Sequence, residues 1–319
     1  MIPRPPLEPR RLGSTTLTVT SLCIGTSPLA SMSRLYGYDV EERRAIETIE
    51  AVFDSPITFI DTSNGYGEDG TAERRVGAAI RERGGLPDGV VLATKVDPDP
   101  QTGDFSGERT RASFLESLDR LGVDRVPLLY LHDPERISFD EAVAVDGPVR
   151  ALVRLRDEGR VDYIGVAGGP VDLLARYLEL GEFSVLLSHN RYTLLDRSAA
   201  DLFQSAAERG VGVVNAAPYG GGMLAKGPTV QASYAYGQRD DRIAKAASAM
   251  QSACAARTVP LAAAALQFSL RASVIDSTVV GVSSPERVEQ TLDYAQMDIP
   301  DDLWDELEGL VPPSELWLN

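Results

Sequence analysis

Phe59-Ile60-Asp61-Thr62-Ser63-Asn64-Gly65-Tyr66-Gly67 carries the reading of the fold: an apolar run of strand character ends on a carboxylate, and a phenol follows five residues later. Two more apolar runs end in the same manner, Val90 to Thr94 at Lys95 and Val126 to Leu131 at His132. Four side chains able to handle a proton therefore follow three successive strand patterns. Further out, short apolar runs rich in β-branched residues and bounded by Gly, Asp or Asn recur near residues 22–25, 57–60, 90–94, 128–131, 162–166, 185–188, 211–214 and 277–280. Helical spacing fills the gaps: Glu41 to Phe53, Ala72 to Arg81, Arg109 to Leu121, Pro148 to Asp157, Val171 to Leu180, Ala199 to Glu208, one long stretch around Asp241 to Leu270, and Pro285 to Tyr294.

Near-continuous apolar strands alternating eight times with amphipathic helices predict an all-parallel sheet covered on both faces, and eight such units close into a (β/α)8 TIM barrel. A doubly wound open sheet is the alternative, but no GxGxxG follows the first strand. Arg11-Leu12-Gly13 and Leu17-Thr18-Val19 flank a short turn-like segment, which predicts an N-terminal β-hairpin plugging the barrel bottom. Asp301 to Leu310 predicts an extra C-terminal helix, stopped by Pro312-Pro313 and followed by a tail. No Pro-, Gly- or Ser-rich linker divides the 319 residues, so one domain over 1–319 is expected.

Composition narrows the function. A formal charge of -16 and a pI near 4.6 argue against nucleic-acid or anionic-membrane partners, which need a clustered basic face, and favour a small-molecule substrate. Cys23 and Cys254 are far apart and lack metal-ligand spacing, so neither a disulfide nor a metal site is expected. The opening Met1-Ile2-Pro3-Arg4-Pro5-Pro6 leads into polar sequence with no apolar core, and no run of eighteen uncharged apolar residues occurs; a cytoplasmic protein, monomer or homodimer, is the expectation.

In a parallel barrel all strands open at one end, so Asp61, Tyr66, Lys95 and His132 converge although they span some seventy residues of sequence. An isolated phenol has a pKa of about 10 and needs a nearby cation to exchange protons at neutral pH. Lys95 supplies the cation, Asp61 holds it, and His132 can donate to a substrate oxygen on which negative charge develops. Taken singly, Asp61 reads equally as a turn or cap residue, Tyr66 as a loop anchor, and His132 as a partner for local backbone. Lys95 is harder to explain structurally, since it must face a polar cavity or bear desolvation. Its chemical rival is a Schiff-base lysine of a lyase or aldolase.

These residues give the chain its resemblance to the aldo-keto reductases. Arg11-Leu12-Gly13, the Leu17-Thr18-Val19-Thr20-Ser21 run and Gly25-Thr26 resemble that family's opening; Phe59 to Ser63 with Tyr66-Gly67, Glu73 and Gly77 resembles its Asp–Tyr signature; Lys95 and His132 match its other two catalytic positions. Leu131 to Pro134, Asn190 to Leu195 and Asn215 to Gly222 resemble the branch holding L-fucose, D-threo-aldose, L-galactose and pyridoxal dehydrogenases. The resemblance implies hydride transfer between NAD or NADP and a sugar or other aldehyde or alcohol, with Tyr66 as general acid and base. A nicotinamide-binding regulatory subunit with little turnover is the non-enzymatic alternative. Cofactor contacts implied by the resemblance are Gly25, Thr26, Asp61, His189, Pro218, Tyr219, Gly220, Gly221, Gly222, Gly281, Ser283, Ser284, Arg287 and Thr291. Glycines let backbone N–H groups approach a pyrophosphate, and Ser284 with Pro285 can open a helix beside it.

The cofactor half departs from the usual pattern. Ala167-Gly168 stand where many members carry Ser-Asn, His189 where they carry Gln, Ala216 where an aromatic ring stacks on the nicotinamide, and Gly281 where a lysine faces the 2′-phosphate of NADP. His189 is either a replacement hydrogen-bond partner or a structural residue, and the stacking falls to Tyr219 or a loop. With only Arg287 matching the adenosine-side cations, NAD is expected to be accepted well; whether it is also preferred stays open. Three long connections, Ser27 to Val40, Asp133 to Gly147 and Tyr219 to Arg239, are expected to shape specificity. Tyr234, Tyr236 and the tail Glu315 to Asn319 either line an aromatic pocket or, in the case of Trp317, pin the tail outside.

Overall fold

The structure is a computed structural model describing residues 7–235 and 237–318; the opening Met1 to Pro6, Tyr236 and the final Asn319 lie outside the described residues. Among the described residues ten strands follow one another: β1 (Arg10–Arg11), β2 (Thr18–Val19), β3 (Leu22–Gly25), β4 (Phe59–Asp61), β5 (Val91–Val96), β6 (Val126–His132), β7 (Val161–Gly168), β8 (Val185–His189), β9 (Gly212–Ala216) and β10 (Ser277–Gly281). Strands β3 to β10 form a closed barrel in the order β10-β3-β4-β5-β6-β7-β8-β9, and each neighbouring pair is parallel. All eight expected strands are thus present. β4 starts two residues later than the apolar pattern, at Phe59, because Thr58 is engaged in reciprocal bonds with Thr20: each backbone N–H donates to the other's hydroxyl, at 3.0 and 3.1 Å.

Strand parity explains where the side chains go, since successive residues of a strand face opposite sides. Cys23, Phe59, Val91, Ala93, Leu128, Tyr130, Val185, Leu187, Val214 and Val279 form the packed interior of the barrel. Two residues beyond the last interior position of each strand stand Gly25, Asp61, Lys95, His132, Ala167, His189, Ala216 and Gly281. One residue per strand therefore forms the top interior layer, and all eight line the cleft at the barrel's C-terminal mouth.

The hairpin plug is present: β1 and β2 pair antiparallel, and Leu12 and Val19, both fully buried, join the barrel interior from below. The long helical stretch expected over Asp241 to Leu270 is instead two helices, Asp241–Ala256 and Leu261–Leu270, bent by 100°. Thr258 sits at φ 59°, outside helical space, and Pro260 carries no N–H to continue the ladder. Asp301–Glu308 is the extra C-terminal helix, and Leu303, Leu307 and Leu316 pack it and the tail against the bent pair. Among the described residues no single helix is long and apolar enough to cross a membrane. Cys23 and Cys254 are both buried free thiols.

Candidate active site

The top interior layer carries the ionisable groups. Lys95, 1% exposed, donates to Asp61 Oδ1 at 2.5 Å, to the Thr62 carbonyl at 2.8 Å and to Tyr66 Oη at 3.1 Å. All three protons of the ammonium are therefore committed. Ladder bonds continue one and three residues past β4, Thr62 N–H donating to Ala93 O and Asn64 N–H to Lys95 O, and this carries the chain over to bring Tyr66 above Lys95. The ammonium lies 4.7 Å from the Tyr66 ring centroid, and the His132 ring meets that ring edge-on at 5.5 Å. Burial pushes the Asp61 carboxyl up more than Lys95 draws it down, leaving it above the usual carboxylate range. Asp61 Oδ2 has no hydrogen-bond partner among the described residues.

The four expected catalytic residues thus meet at one point. A lysine held by three acceptors beneath a phenol serves as a fixed charge and is poorly disposed to attack a carbonyl, which removes the geometric support for a Schiff-base role.

A cleft of about 620 Å³ extends from this point across the mouth. Of the expected cofactor contacts, Gly25, Asp61, His189, Tyr219, Gly221, Gly222, Gly281, Ser283, Arg287 and Thr291 line it; Thr26, Pro218, Gly220 and Ser284 do not. Thr26 is fully buried behind the mouth, its N–H donating to Asp61 O at 3.0 Å. Gly220 is packed against the Tyr234 ring. Gly221 and Gly222 have φ of 68° and 99°, so backbone without side chains forms this wall. Opposite, the helix Pro285–Gln296 opens with Pro at its first turn, and Ser284 makes no capping bond to it. Arg287, exposed on that helix, has Gln290 as its hydrogen-bond partner. Glycine backbone on one side and a helix start with an arginine on the other suit a phosphate-bearing dinucleotide.

All three long connections reach the cleft. The first brings Met32, Leu35, Tyr36 and Tyr38, the second Asp133, Glu135 and Arg136, and the third Lys226 and Gln231. The aromatic wall is Tyr36 and Tyr38, whose ring centroids are 6.0 Å apart, and not Tyr234. Tyr234 is 1% exposed and donates to Asn190 O at 2.7 Å, bracing the loop after β8 from behind. Trp317 also lies outside the cleft, its indole donating to Pro312 O at 3.0 Å. Nothing in the residue types separates Tyr36 from Tyr234; only packing does.

Asp133, Glu135 and His189 bring one potential ligand atom each within 4.8 Å of one another. Arg136 lies 2.9 Å from Asp133, and the His189 ring also contacts the Asn190 amide at 3.1 Å, so the cluster forms a polar rim of the cleft. Burial lowers the His189 pKa to about 4, which leaves the ring neutral. Asp133 sits at φ 42° directly after His132, a conformation few non-glycine residues adopt, and it marks the mouth as a place where backbone strain is held.

The sequence reading missed Asp97 and Ser63. Asp97, 2% exposed, accepts from Ser63 Oγ at 2.5 Å and from Gly65 N–H at 2.8 Å, and its Oδ1 lies 2.7 Å from His132 Nδ1. Parity was the available signal: Asp97 follows Lys95 by two and so faces the same side.

The sequence pattern of the aldo/keto reductase family matches residues 21–312. D-threo-aldose 1-dehydrogenase of a Pseudomonas species is 34% identical, the match covering 91% of this chain and 94% of that protein. L-galactose dehydrogenase of Arabidopsis thaliana is 32% identical over 96% of this chain and 95% of its own. Pyridoxal 4-dehydrogenase of Microbacterium luteolum is 31% identical over 95% and 98% respectively. In fold, the chain resembles an aldo-keto reductase of Bacillus halodurans in its holo form, with a TM-score of 0.78, 24% identity and 96% of each chain covered.

Proposed function

This chain belongs to the aldo/keto reductase family and is an NAD(P)-dependent oxidoreductase, and we propose that it interconverts an aldose or related aldehyde with its oxidised or reduced partner, using Tyr66 as the proton donor and acceptor. The observation that carries this reading is the threefold hold on Lys95, which fixes a cation 3.1 Å from the Tyr66 oxygen. The bound nicotinamide would supply or take the hydride at the carbonyl or carbinol carbon. In reduction Tyr66 gives its proton to the oxygen that becomes a hydroxyl, and the Lys95 ammonium stabilises the phenolate left behind. In oxidation the phenolate takes that proton back. Asp61 holds the Lys95 side chain in place beneath Tyr66, and His132 stands where it can hydrogen-bond the reacting oxygen.

Gly221, Gly222, Ser283, Arg287 and Thr291 would hold the phosphate and adenosine portions, with Tyr219 and His189 beside the nicotinamide. NAD is expected to be accepted well, because Gly281 contributes no cation beside Arg287. Comparing kcat/KM for NAD and NADP tests this point, and a strong NADP preference overturns it. For substrate, the carboxylates of Asp133 and Glu135 and the Arg136 guanidinium offer partners for several hydroxyls, while Tyr36 and Tyr38 offer ring faces to C–H groups. The names of the three relatives agree with a hydroxylated aldehyde or its cyclic form.

The test is a panel of L-fucose, D-arabinose, L-galactose, pyridoxal and small aldehydes, followed by nicotinamide absorbance. Tyr66→Phe should lower kcat by about 10²- to 10⁴-fold while NAD(P)H binding, read by fluorescence titration, is retained. Undiminished turnover by that variant rejects the role given to Tyr66.

A further inference from the structure

Beneath the cleft, His132 rests on a carboxylate that does not itself line the cleft. Asp97 Oδ1 lies 2.7 Å from His132 Nδ1, Asp97 Oδ2 accepts from Ser63 Oγ at 2.5 Å and from Gly65 N–H at 2.8 Å, and Asp97 N–H donates to Ser113 Oγ at 3.1 Å. Gly65 is needed for this approach, since a Cβ there would stand 2.6 Å from the Asp97 carboxyl carbon. Ser63 Oγ lies 3.0 Å from the same ring nitrogen. Because the Ser63 hydroxyl gives its proton to Asp97, the proton between ring and carboxylate belongs to Nδ1. Nε2 is the ring nitrogen left for the cleft; its nearest carboxylate oxygen, on Asp133, is 3.8 Å away, beyond hydrogen-bonding distance.

We propose that Asp97 is a positioning residue that fixes His132 as the Nδ1–H form, so that the ring donates to a carbonyl oxygen only as imidazolium and accepts from a carbinol hydroxyl only as neutral imidazole. A neutral ring held this way presents a lone pair at Nε2, which repels a carbonyl oxygen and welcomes an O–H. The proton on His132 thereby selects which partner of the redox pair the cleft receives. This inference rests on the reaction proposed above.

The charges around the ring come from several elements. Asp97 lies just past β5 and Asp133 just past β6; Arg136, on the same connection as Asp133, is 3.5 Å from Asp97 Oδ1; Lys95 and Asp61 stand on β5 and β4; Tyr66 meets the ring edge; His189 on β8 lies 3.9 Å from the shared Asp133 oxygen, with Glu135 beside it. Burial pulls the His132 pKa down, but the carboxylates of Asp97 and Asp133 outweigh it and hold the ring above its ordinary value, against the opposing charge of Lys95. Asp97, though also buried, stays far below the usual carboxylate range beside the His132 ring, Ser63 and Arg136.

The chain has only two histidines, so a long-range ¹H–¹⁵N spectrum of the whole ¹⁵N-labelled protein, assigned with His189→Gln, reads His132 without any substrate. The expected result is a neutral ring protonated at Nδ1 that titrates to imidazolium. Asp97→Asn should lower the titration midpoint and admit the Nε2–H form. In kinetics on whichever panel sugar or aldehyde turns over, kcat/KM for reduction should fall, and that for oxidation rise, as pH passes the midpoint. Asp97→Asn should move both limbs by the displacement the spectrum shows and lower reduction by about 100-fold. A neutral wild-type ring carrying its proton on Nε2 overturns the proposal, as does an Asp97→Asn midpoint equal to the wild type's. Should Asp97→Asn not fold, the wild-type tautomer still decides, and Ser63→Ala should keep Nδ1 protonated. If no member of the panel turns over while the tautomer is as expected, the reaction proposed above fails and the positioning by Asp97 stands.

Discussion

Lys95→Met should destabilise the protein far more than its packing suggests, because the change strands a carboxylate. Lys95 and Asp61 are 1% and 3% exposed, and Asp61 Oδ2 already lacks a partner among the described residues. Removing the ammonium takes away the bond to Oδ1 at 2.5 Å and the bond to the Thr62 carbonyl at 2.8 Å. Two charge-assisted bonds at about 1.5–3 kcal/mol each give about 3–6 kcal/mol, in agreement with the roughly 3–5 kcal/mol expected when one partner of a buried ion pair is deleted. Asp61→Asn/Lys95→Met removes both charges and should recover much of that loss, with a coupling energy near the upper end of the 0.5–3 kcal/mol seen for touching residues. Urea unfolding followed by far-UV circular dichroism and by the fluorescence of Trp304 and Trp317 measures it, the two probes being required to coincide. A cost below about 1 kcal/mol for Lys95→Met, or additivity within about 0.5 kcal/mol in the cycle, would refute the claim that the pair is buried and interdependent.

Two further outcomes follow from the burial pattern. Leu12→Ala in the hairpin plug should cost about 2–5 kcal/mol, because the fully buried side chain closes the barrel interior from below, and the same urea experiment reads it. The folded His189 binds a proton near pH 4 because burial disfavours its charge, while an unfolded histidine binds one near 6.5. Between those values the unfolded state holds more protons, so the His189 contribution to stability falls as pH drops from about 6.5 to 4. His189→Gln should flatten that decline by on the order of 2 kcal/mol, seen as a smaller fall in calorimetric Tm; an unchanged slope removes the argument.

How much of this was legible in the sequence depends on how local each signal is. Val91-Leu92-Ala93-Thr94-Lys95 announces both a buried strand and an ionisable group at its end, and three such signals in β/α order, the first with Tyr66 five residues beyond it, place Asp61, Tyr66, Lys95 and His132 at one mouth. The split of Asp241 to Leu270 into two helices is also written there, in Pro260, although apolar spacing continues through it. Tyr234 is different: its composition and loop suggest a pocket wall, yet its ring packs behind Gly220 and its hydroxyl braces Asn190.

The sequence by itself determined the barrel, its hairpin plug and the four residues at its mouth, since strand parity and the order of elements are properties of neighbouring residues. Only the tertiary structure decided that Asp97 lies under His132, that Tyr36 and Tyr38 wall the cleft while Tyr234 does not, and that Thr26 and Ser284 stand outside it. Those relations join residues of different βα units, as Asp97 and His132 are joined across β5 and β6. Their distance is set by the register of parallel strands and the packing of the helices between them, which no local pattern in the chain specifies.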